Sequence, residues 1–190
     1  MSDLQTFEAQ VYEAQPDFLN DLGQPTLGKL ASAIESAVNG MQKRDWISVG
    51  RRAQVVACLR GANPSNIGNG YSNYKVAPSI GTPAERAIQS VGLSTASDRP
   101  ALCILGNAAL SDGRLFEALH LATLQNASVI FLILEHNLEQ APLANVSSQG
   151  LRHAAQAMGL TVSSVALQEI QSTVTTARDS GGTHLIHVVV

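Results

Sequence analysis

The sequence predicts an α/β protein: one three-layer domain with a parallel sheet and helices on both faces. Two observations support this prediction. From Gly81 onwards, short apolar segments alternate with helical patterns, as parallel strands joined by crossover helices do. The segment Val129–Leu134 is apolar at every position, as a strand covered on both faces requires. With 190 residues and no visible linker or repeat, the chain is expected to build a single core.

Two regions are predicted along the chain. Residues 1–44 are expected to form an N-terminal helical lead-in, and residues 45–190 the α/β domain. Within the lead-in, Leu30, Ile34 and Val38 recur at four-residue spacing, which predicts a helix. The segment that opens the second region, DWISVGRRAQVVACLRG, is apolar with two adjacent arginines and fits no single element.

A long loop and a capped helix precede the regular part of the chain. Residues 61–78 are rich in Asn, Gly, Ser and Pro, which predicts a loop, and a loop of this length is usually functional or mobile. Thr82, Pro83 and Glu85 form the pattern of a capping box with proline at the first helical position. Strands are predicted in ALCILG, SVIFLIL, TVSSVA and THLIHVVV, and helices in DGRLFEALHLATLQ, LRHAAQAMG and LQEIQSTVTTARDS.

Composition excludes several classes of function. The formal charge is -3 and the pI about 5.9, so no basic field would attract nucleic acid or an anionic membrane. Cys58 and Cys103 are too few for a disulfide framework or a metal knuckle. The start, MSDLQTFEAQVYEAQ, is acidic and polar, unlike a signal peptide, and no apolar run is long enough to cross a bilayer. A cytoplasmic location is expected.

Two strand ends carry the candidate site. Ligands of open α/β sheets bind beyond the carboxyl ends of the strands. Gly106 begins a turn of small residues that leads into a helix, whose free N–H groups favour anions. Asn137 follows the next strand. The sequence contains no P-loop, no nucleophile elbow, no Cys/His metal cluster and no G-x-G-x-x-G after a strand.

The segment GNAALSDGRLFEALHLA resembles the thiamine diphosphate motif of transketolase-like enzymes and of 2-oxo acid dehydrogenase alpha subunits. That motif begins Gly-Asp-Gly, continues with a Gly and a Glu-Ala pair in the helix, and closes with an Asn after the next strand. Gly106, Gly113, Glu117, Ala118 and Asn137 match it in register. SIGTPAERAIQSVGLSTA upstream and THLIHVVV downstream extend the resemblance over most of the chain. The resemblance implies a thiamine diphosphate-binding fold.

The resemblance also implies a cofactor, thiamine diphosphate with Mg²⁺. Mg²⁺ prefers oxygen ligands in octahedral geometry, including carboxylates and phosphates. The cofactor-binding positions that it implies are Gly81, Gly106, Asn107, Ala108, Ala109 and Asn137. The metal-ligand positions that it implies are Asn107, Asn137 and Glu139, the last through its main-chain carbonyl.

Two adjacent residues depart from the motif. Asn107 stands where the family has the metal-binding Asp, so a full negative charge is missing beside the ion. Ala108 stands where the family has the second Gly, which would cost about 1 kcal/mol if the position needs positive φ or close approach to a phosphate. We therefore expect a degenerate relative that is not catalytic on its own and acts as an assembly or small-molecule-binding subunit.

Two other functions stay open. In the first, the chain is the diphosphate-binding, alpha-type subunit of a 2-oxo acid dehydrogenase or transketolase-like complex. In the family a glutamate on a separate domain or subunit activates the cofactor, and 190 residues have room for one such domain, so a partner chain would be needed. In the second, the chain is an ordinary nucleotide-binding domain, which the missing glycine fingerprint disfavours. A homo- or hetero-oligomer, at least a dimer by light scattering, is expected.

Several side chains also have a purely structural interpretation. Asn107 and Asn137 can cap or bridge loop backbone. Glu117 either faces a partner or lies exposed on its helix. Arg51, Arg52 and Arg60 either lie in solvent or meet a phosphate near the long loop. The sequence does not decide among these alternatives.

Overall fold

The computed structural model describes residues 2–14, 28–66, 70–79, 81–135 and 148–190. Within these ranges, five strands form one parallel sheet in the order β1-β2-β3-β5-β4. The strands are β1 (Trp46–Ser48), β2 (Ala101–Gly106), β3 (Val129–Glu135), β4 (Thr161–Ser164) and β5 (Thr183–Val189). The helices are α1 (Asp3–Ala14), α2 (Gly28–Asn39), α3 (Ala53–Leu59), α4 (Pro83–Ser97), α5 (Gly113–Leu124), α6 (Ser148–Ala157) and α7 (Ile170–Ser180).

The helices cover both faces of the sheet, which confirms the predicted three-layer α/β class. One apolar core joins α1, α2, α3 and α7 to the sheet, and a second core joins α4, α5 and α6 to the other face. Neighbouring strand residues alternate between the two cores: Leu102 and Ile104 enter the first, whereas Cys103 and Leu105 enter the second. This alternation is the period-two geometry of a strand. It explains why β2 and β3 read as unbroken apolar runs.

The two predicted central strands are central. β2 pairs with β3 from Ala101 opposite Val129 to Gly106 opposite Leu134, and both strands have a neighbour on each side. Because the strands are parallel and in register, Gly106 and Leu134 end at the same edge of the sheet. This edge therefore carries the small-residue turn that the sequence marks as a candidate site.

Local signals set the ends of the helices as expected. Thr82 and Glu85 form both hydrogen bonds of the capping box at the start of α4, with Pro83 as the first helical residue. Helix α6 ends before Gly159, whose φ of +92° lets the N–H of Leu160 reach the carbonyl of Ala155 at 3.0 Å. Both helices thus begin or end where the residue types require it.

The segment that the sequence left unassigned forms three short elements. β1 is followed by a 3₁₀ turn, Gly50–Arg52, and then by α3. Gly50 takes a positive φ of +66° at this reversal. A strand of three residues and a helix of seven are too short to show a clear hydrophobic periodicity, so the sequence of this segment predicts neither element.

The predicted loop at 61–78 is irregular in its described part, with 3₁₀ turns at Pro64–Asn66 and Gly70–Tyr74. Val76 then makes a single bridge to Ile47. The guanidinium of Arg60 holds this region by donating to the carbonyls of Tyr74 (2.7 Å), Gln42 (2.8 Å), Asp45 and Lys43. Arg60 is therefore a structural residue and does not face a ligand.

The N-terminal helices pack on the same core as the strands. Leu4 and Val11 of α1 are fully buried, and Ala33 and Ala37 of α2 lie in the same apolar cluster as Ile47. The boundary between residues 44 and 45 stays a prediction. Among the described residues, no helix combines the length and the apolar character that crossing a bilayer requires.

Candidate functional site

The turn after β2 lies at the carboxyl edge of the sheet. Gly106 has extended backbone (φ −109°, ψ −175°), and Asn107–Ala109 forms a 3₁₀ turn closed by a 3.0 Å hydrogen bond from the N–H of Leu110 to the carbonyl of Asn107. Among the described atoms, a Cβ added at Gly106 would approach only the carbonyl oxygen of Leu134, at 3.9 Å. No other described atom therefore crowds the strand end.

Ala108 does not need a left-handed backbone. It lies inside the 3₁₀ turn, and the described non-glycine residues with positive φ are Lys75, Asp98 and Asn126. The conformational cost that alanine would have at a glycine-only position therefore does not arise here. The exposed methyl group can matter only by limiting how closely a ligand approaches the turn.

The N-termini of α4 and α5 already carry carboxylates of their own. Glu85 accepts a 2.6 Å hydrogen bond from the N–H of Thr82, and Asp112 accepts one of 3.1 Å from the N–H of Arg114. The guanidinium of Arg114 bridges Glu85 and Asp112. The Thr82 hydrogen bond lowers the pKa of Glu85, and the Arg114 hydrogen bonds lower that of Asp112. An anionic ligand at these N-termini would meet two carboxylates.

A cavity of about 240 Å³ opens beside Gly106, and we call it the arginine pocket. Three guanidinium groups line it, those of Arg51, Arg52 and Arg86. Its remaining walls are apolar side chains and backbone, contributed by Leu30, Ile34, Val49, Ile104, Leu105, Gly106 and Leu134. The pocket lies over the carboxyl ends of β1, β2 and β3, between helices α2 and α4. Parallel α/β proteins place their ligands in this position.

Arg86 packs against the backbone at Gly50. A Cβ at Gly50 would lie 2.7 Å from Nη2 and 2.8 Å from Cζ of Arg86, so this guanidinium would have to shift if Gly50 carried a side chain. The Nε of Arg86 is buried and has no hydrogen-bond partner among the described residues. Burial lowers the pKa of Arg86, and the neighbouring charge of Arg51 lowers it further. The group is held in place without a counterion from the described part of the chain.

Replacing Arg86 by Met is expected to stabilise the ligand-free protein by about 1 kcal/mol, because it removes a buried, unsatisfied donor and a repulsive charge. Methionine keeps most of the length of the side chain and packs against apolar walls. Urea denaturation of both proteins measures the difference. Arg99→Met, at an exposed site near the amino end of β2, is the control and should change the stability by less than about 0.5 kcal/mol. A clear loss of stability in Arg86→Met would show that the guanidinium has a partner in the folded protein.

A magnesium-bridged diphosphate does not fit the described part of this edge. Mg²⁺ sites are built on carboxylates, whereas the turn supplies the neutral amide of Asn107. Within the described ranges, no three His, Cys, Asp or Glu side chains come close enough together to hold a metal ion. The charged groups in the pocket wall are guanidinium groups, which repel a cation. The described residues therefore suit an anion that binds without a divalent ion.

A second polar group lies at the same edge, between β3 and β5. The Nε2 of His187 is 2.6 Å from the Oε2 of Glu135, and His187 is buried. Arg152 of α6 donates to the hydroxyl of Ser164 on β4 at 2.6 Å. Burial alone would raise the pKa of Glu135, but hydrogen bonds from Ser148 and His187, with the charges of His187 and Arg152, hold it below its ordinary value.

Glu135 should make the stability depend on acid pH. A carboxylate whose pKa is lowered in the folded state adds stability above its unfolded pKa, about 4.3, and loses it as the pH falls through the lower folded value. Wild-type protein should therefore lose more stability between about pH 5 and pH 3 than the Glu135→Gln variant does. Urea denaturation across this range measures the slopes, with Glu117→Gln at an exposed position as the control. Identical slopes for wild type and Glu135→Gln would contradict the assignment.

The structure brings some of the predicted site residues together. Gly106, Asn107, Ala108 and Ala109 form one turn at the edge of the arginine pocket. Gly81 lies at the start of α4, where its φ of +68° and missing side chain accommodate the carboxylate of Glu85. The roles of these residues in cofactor binding stay predictions. The predicted Asn137 and Glu139 lie outside the described residues.

Arg86 is the site residue that the sequence analysis missed. It follows the capping Glu85 directly and looks like an ordinary polar position on an amphipathic helix. Its importance depends on Gly50, 36 positions earlier, and no periodicity links the two. Of the adjacent arginines, Arg52 pairs with Glu8 at 3.0 Å, and Arg51 lines the pocket at an exposed position. Glu117 is exposed on α5.

The fold is that of thiamin diphosphate-dependent enzymes. A transketolase from Campylobacter jejuni superimposes on 100% of this chain and 38% of its own, with a TM-score of 0.65 and 17% identity. A Mycobacterium smegmatis protein, proposed to be a thiamin diphosphate-dependent enzyme, matches 83% of this chain and 31% of its own, with a TM-score of 0.56 and 12% identity. The chain thus spans less than two fifths of either protein. No family model and no curated protein matches the sequence.

Proposed function

We propose that this chain is a degenerate, non-catalytic relative of a thiamine diphosphate-binding domain and acts as a small-molecule-binding or assembly subunit. The fold has the transketolase-like architecture. The observation that supports the proposal most is the change of charge at the carboxyl edge of the sheet. A neutral amide stands at the position where the resemblance requires the metal-binding carboxylate, and arginines line the adjacent pocket.

The self-capped helices support the same proposal. Diphosphates bind helix N-termini through free N–H groups and the positive end of the helix dipole. Here the N–H of Arg114 already donates a hydrogen bond to the Asp112 carboxylate, and the Glu85 carboxylate lies at the start of the neighbouring helix. A ligand with two phosphate groups would have to displace these carboxylates or accept their repulsion. A catalytic thiamine diphosphate is therefore disfavoured at this edge.

Calorimetric titration with thiamine diphosphate tests the proposal. The purified chain is expected to bind the cofactor weakly or not at all. The result should be the same with excess Mg²⁺ and with EDTA, because the described turn offers the ion no carboxylate. It is also expected not to decarboxylate pyruvate or transfer ketol groups by itself. Tight, Mg²⁺-dependent binding by the wild type would refute the proposal.

A partner-dependent enzyme subunit is the second candidate. Asn137 and Glu139 keep the identities that the resemblance requires of the distal metal ligands, and the chain spans 38% of the transketolase. In this case a separate chain would supply the pyrimidine-binding domain, and cofactor would bind only between the two. A gene beside this one that encodes such a chain would favour it. Co-expression of the two, followed by the same titration, distinguishes this function from the first.

Assembly is part of either proposal. We expect a homo- or hetero-oligomer, because family members place the diphosphate site between subunits. Light scattering of the purified chain and of any complex measures the state directly. A strictly monomeric chain at high concentration, with no partner recovered from cell extract, would oppose an assembly role. A cytoplasmic location is likewise an expectation, which fluorescence microscopy of a tagged chain checks.

A further inference from the structure

The arginine pocket carries positive charge that the described residues do not neutralise. Of its three guanidinium groups, that of Arg52 is bound to the Glu8 carboxylate at 3.0 Å. Arg51 and Arg86 have no ion pair with any carboxylate in the described part of the chain, and their charges repel each other. A partly buried charge without a counterion is costly, and Arg86 is half-buried, so the pocket favours an anion that can reach it.

Arg86 also offers a donor of the right geometry. Its guanidinium packs on the backbone at Gly50, where a Cβ would be 2.7 Å from Nη2. Its buried Nε–H group has no acceptor within the described residues. A guanidinium presents its N–H groups in a planar fork that matches a carboxylate or a phosphate. An anion that enters the pocket therefore meets a donor without an acceptor.

The size and the walls of the pocket limit the ligand. The volume of about 240 Å³ lies below the roughly 300–1,000 Å³ of drug-sized sites, so the ligand is small. Ile34 and Leu134 are buried and Leu30 is partly buried, and they give the pocket an apolar part. The pocket therefore combines cationic groups for an oxyanion with apolar surface.

We propose that the arginine pocket binds a small organic anion without a divalent metal, with the carboxylate or phosphate head on Arg86 and Arg51 and an apolar body against Leu30, Ile34 and Leu134. This inference rests on the proposed small-molecule-binding function and names its ligand class. A neutral analogue of the same shape binds more weakly, since its single carbonyl can accept a hydrogen bond from Arg86 but brings no charge to neutralise the guanidinium. A divalent cation is not needed, because the guanidinium groups themselves neutralise the head.

Isothermal titration of the full chain in EDTA tests the inference with three probes: 4-methylpentanoate, inorganic phosphate and the neutral 4-methylpentanamide. We expect 4-methylpentanoate or phosphate to bind, and the amide to bind at least about tenfold more weakly than the carboxylate. Arg86→Met should weaken anion binding by about tenfold or more, and Arg51→Gln by less, because Arg51 is exposed. Arg86→Lys keeps the charge without the planar fork and should bind between wild type and Arg86→Met. Arg99→Gln is the charge-matched control and should bind like wild type.

Each outcome of this experiment either supports or overturns the proposed anion site. Arg86-dependent binding of either anion supports the inference, and the better of the two identifies the head group. No binding of either anion, equal binding by Arg86→Met, or binding only in Mg²⁺ overturns it. These results are independent of the thiamine diphosphate titration. Failure of the small anions leaves the degenerate-site proposal intact, whereas tight magnesium-dependent cofactor binding removes that proposal whatever the small anions do.

Discussion

Replacing Arg52 by Met should lower the free energy of unfolding by about 3–5 kcal/mol, the usual cost of removing one member of a buried ion pair. The Nε of Arg52 lies 3.0 Å from Oε1 of Glu8, and the two side chains are 15% and 3% exposed. The variant would leave the Glu8 carboxylate buried beside Tyr12, whose hydroxyl is 3.4 Å from Oε1. Because Glu8 belongs to α1, the loss should release the N-terminal helix from the turn beside the arginine pocket.

The adjacent arginine provides a matched control for this variant. Arg51→Met removes the same charge one position earlier, at an exposed site, and should change the stability by less than about 0.5 kcal/mol. The double variant Glu8→Gln with Arg52→Met should recover part of the loss, since no unpaired charge remains. Urea denaturation of the wild type, Glu8→Gln, Arg52→Met and the double variant gives the coupling energy of the pair. A loss below about 1 kcal/mol in Arg52→Met would mean that the Glu8 carboxylate reaches water or gains a proton at little cost.

The second large effect is a gain of cofactor binding at the altered turn. Asn107→Asp with Ala108→Gly is expected to raise the affinity for thiamine diphosphate at fixed Mg²⁺ by about tenfold or more, which corresponds to about 1.4 kcal/mol. Aspartate returns a charged oxygen to a hard divalent ion. Glycine allows a closer approach of phosphate to the turn, although Ala108 already has ordinary helical backbone there. The carboxylate should therefore contribute the larger share.

Titration of the wild type, the two single variants and the double variant separates these contributions. The two positions adjoin, so their effects should couple rather than add. Asn126→Asp, which places the same new charge at an exposed position before β3, is the control and should bind like wild type. If the double variant gains nothing, Arg86→Met should be added in the same background. A gain in that triple variant would identify the guanidinium as the group that opposes the metal ion.

The sheet could be predicted from sequence because its signals are local. β2 and β3 are apolar up to their last residues, Gly106 and Glu135, and α4 begins at a complete capping box. Each of these patterns lies within a few consecutive residues, and it predicts the same element whatever the rest of the fold is. The turn at Gly106 was found in the same way, by its position at the end of an apolar strand.

The pocket could not be predicted because it depends on contacts between distant segments. Arg86 matters only because Gly50 leaves room for its guanidinium, and Arg52 is compensated only because Glu8 lies on a helix that packs beside it. The caps on α4 and α5 are similar: Glu85 and Asp112 are local, but Arg114 joins them across 29 positions. Arginine, glutamate and aspartate usually face solvent, so their positions in the sequence do not predict these long-range contacts.

The parallel register of the sheet also dictates when this protein can fold during its synthesis. β1 pairs with β2 about 55 residues further along, and β3 pairs with β5 at a similar separation. At roughly 5–20 residues per second, about 3–11 seconds pass between the emergence of β1 and that of its only described neighbouring strand. During that delay the apolar side chains of β1 and α3 have no sheet against which to pack. Until β2 and β3 leave the ribosome, the contacts of α1, α2 and α3 with one another are the native packing open to this part of the chain.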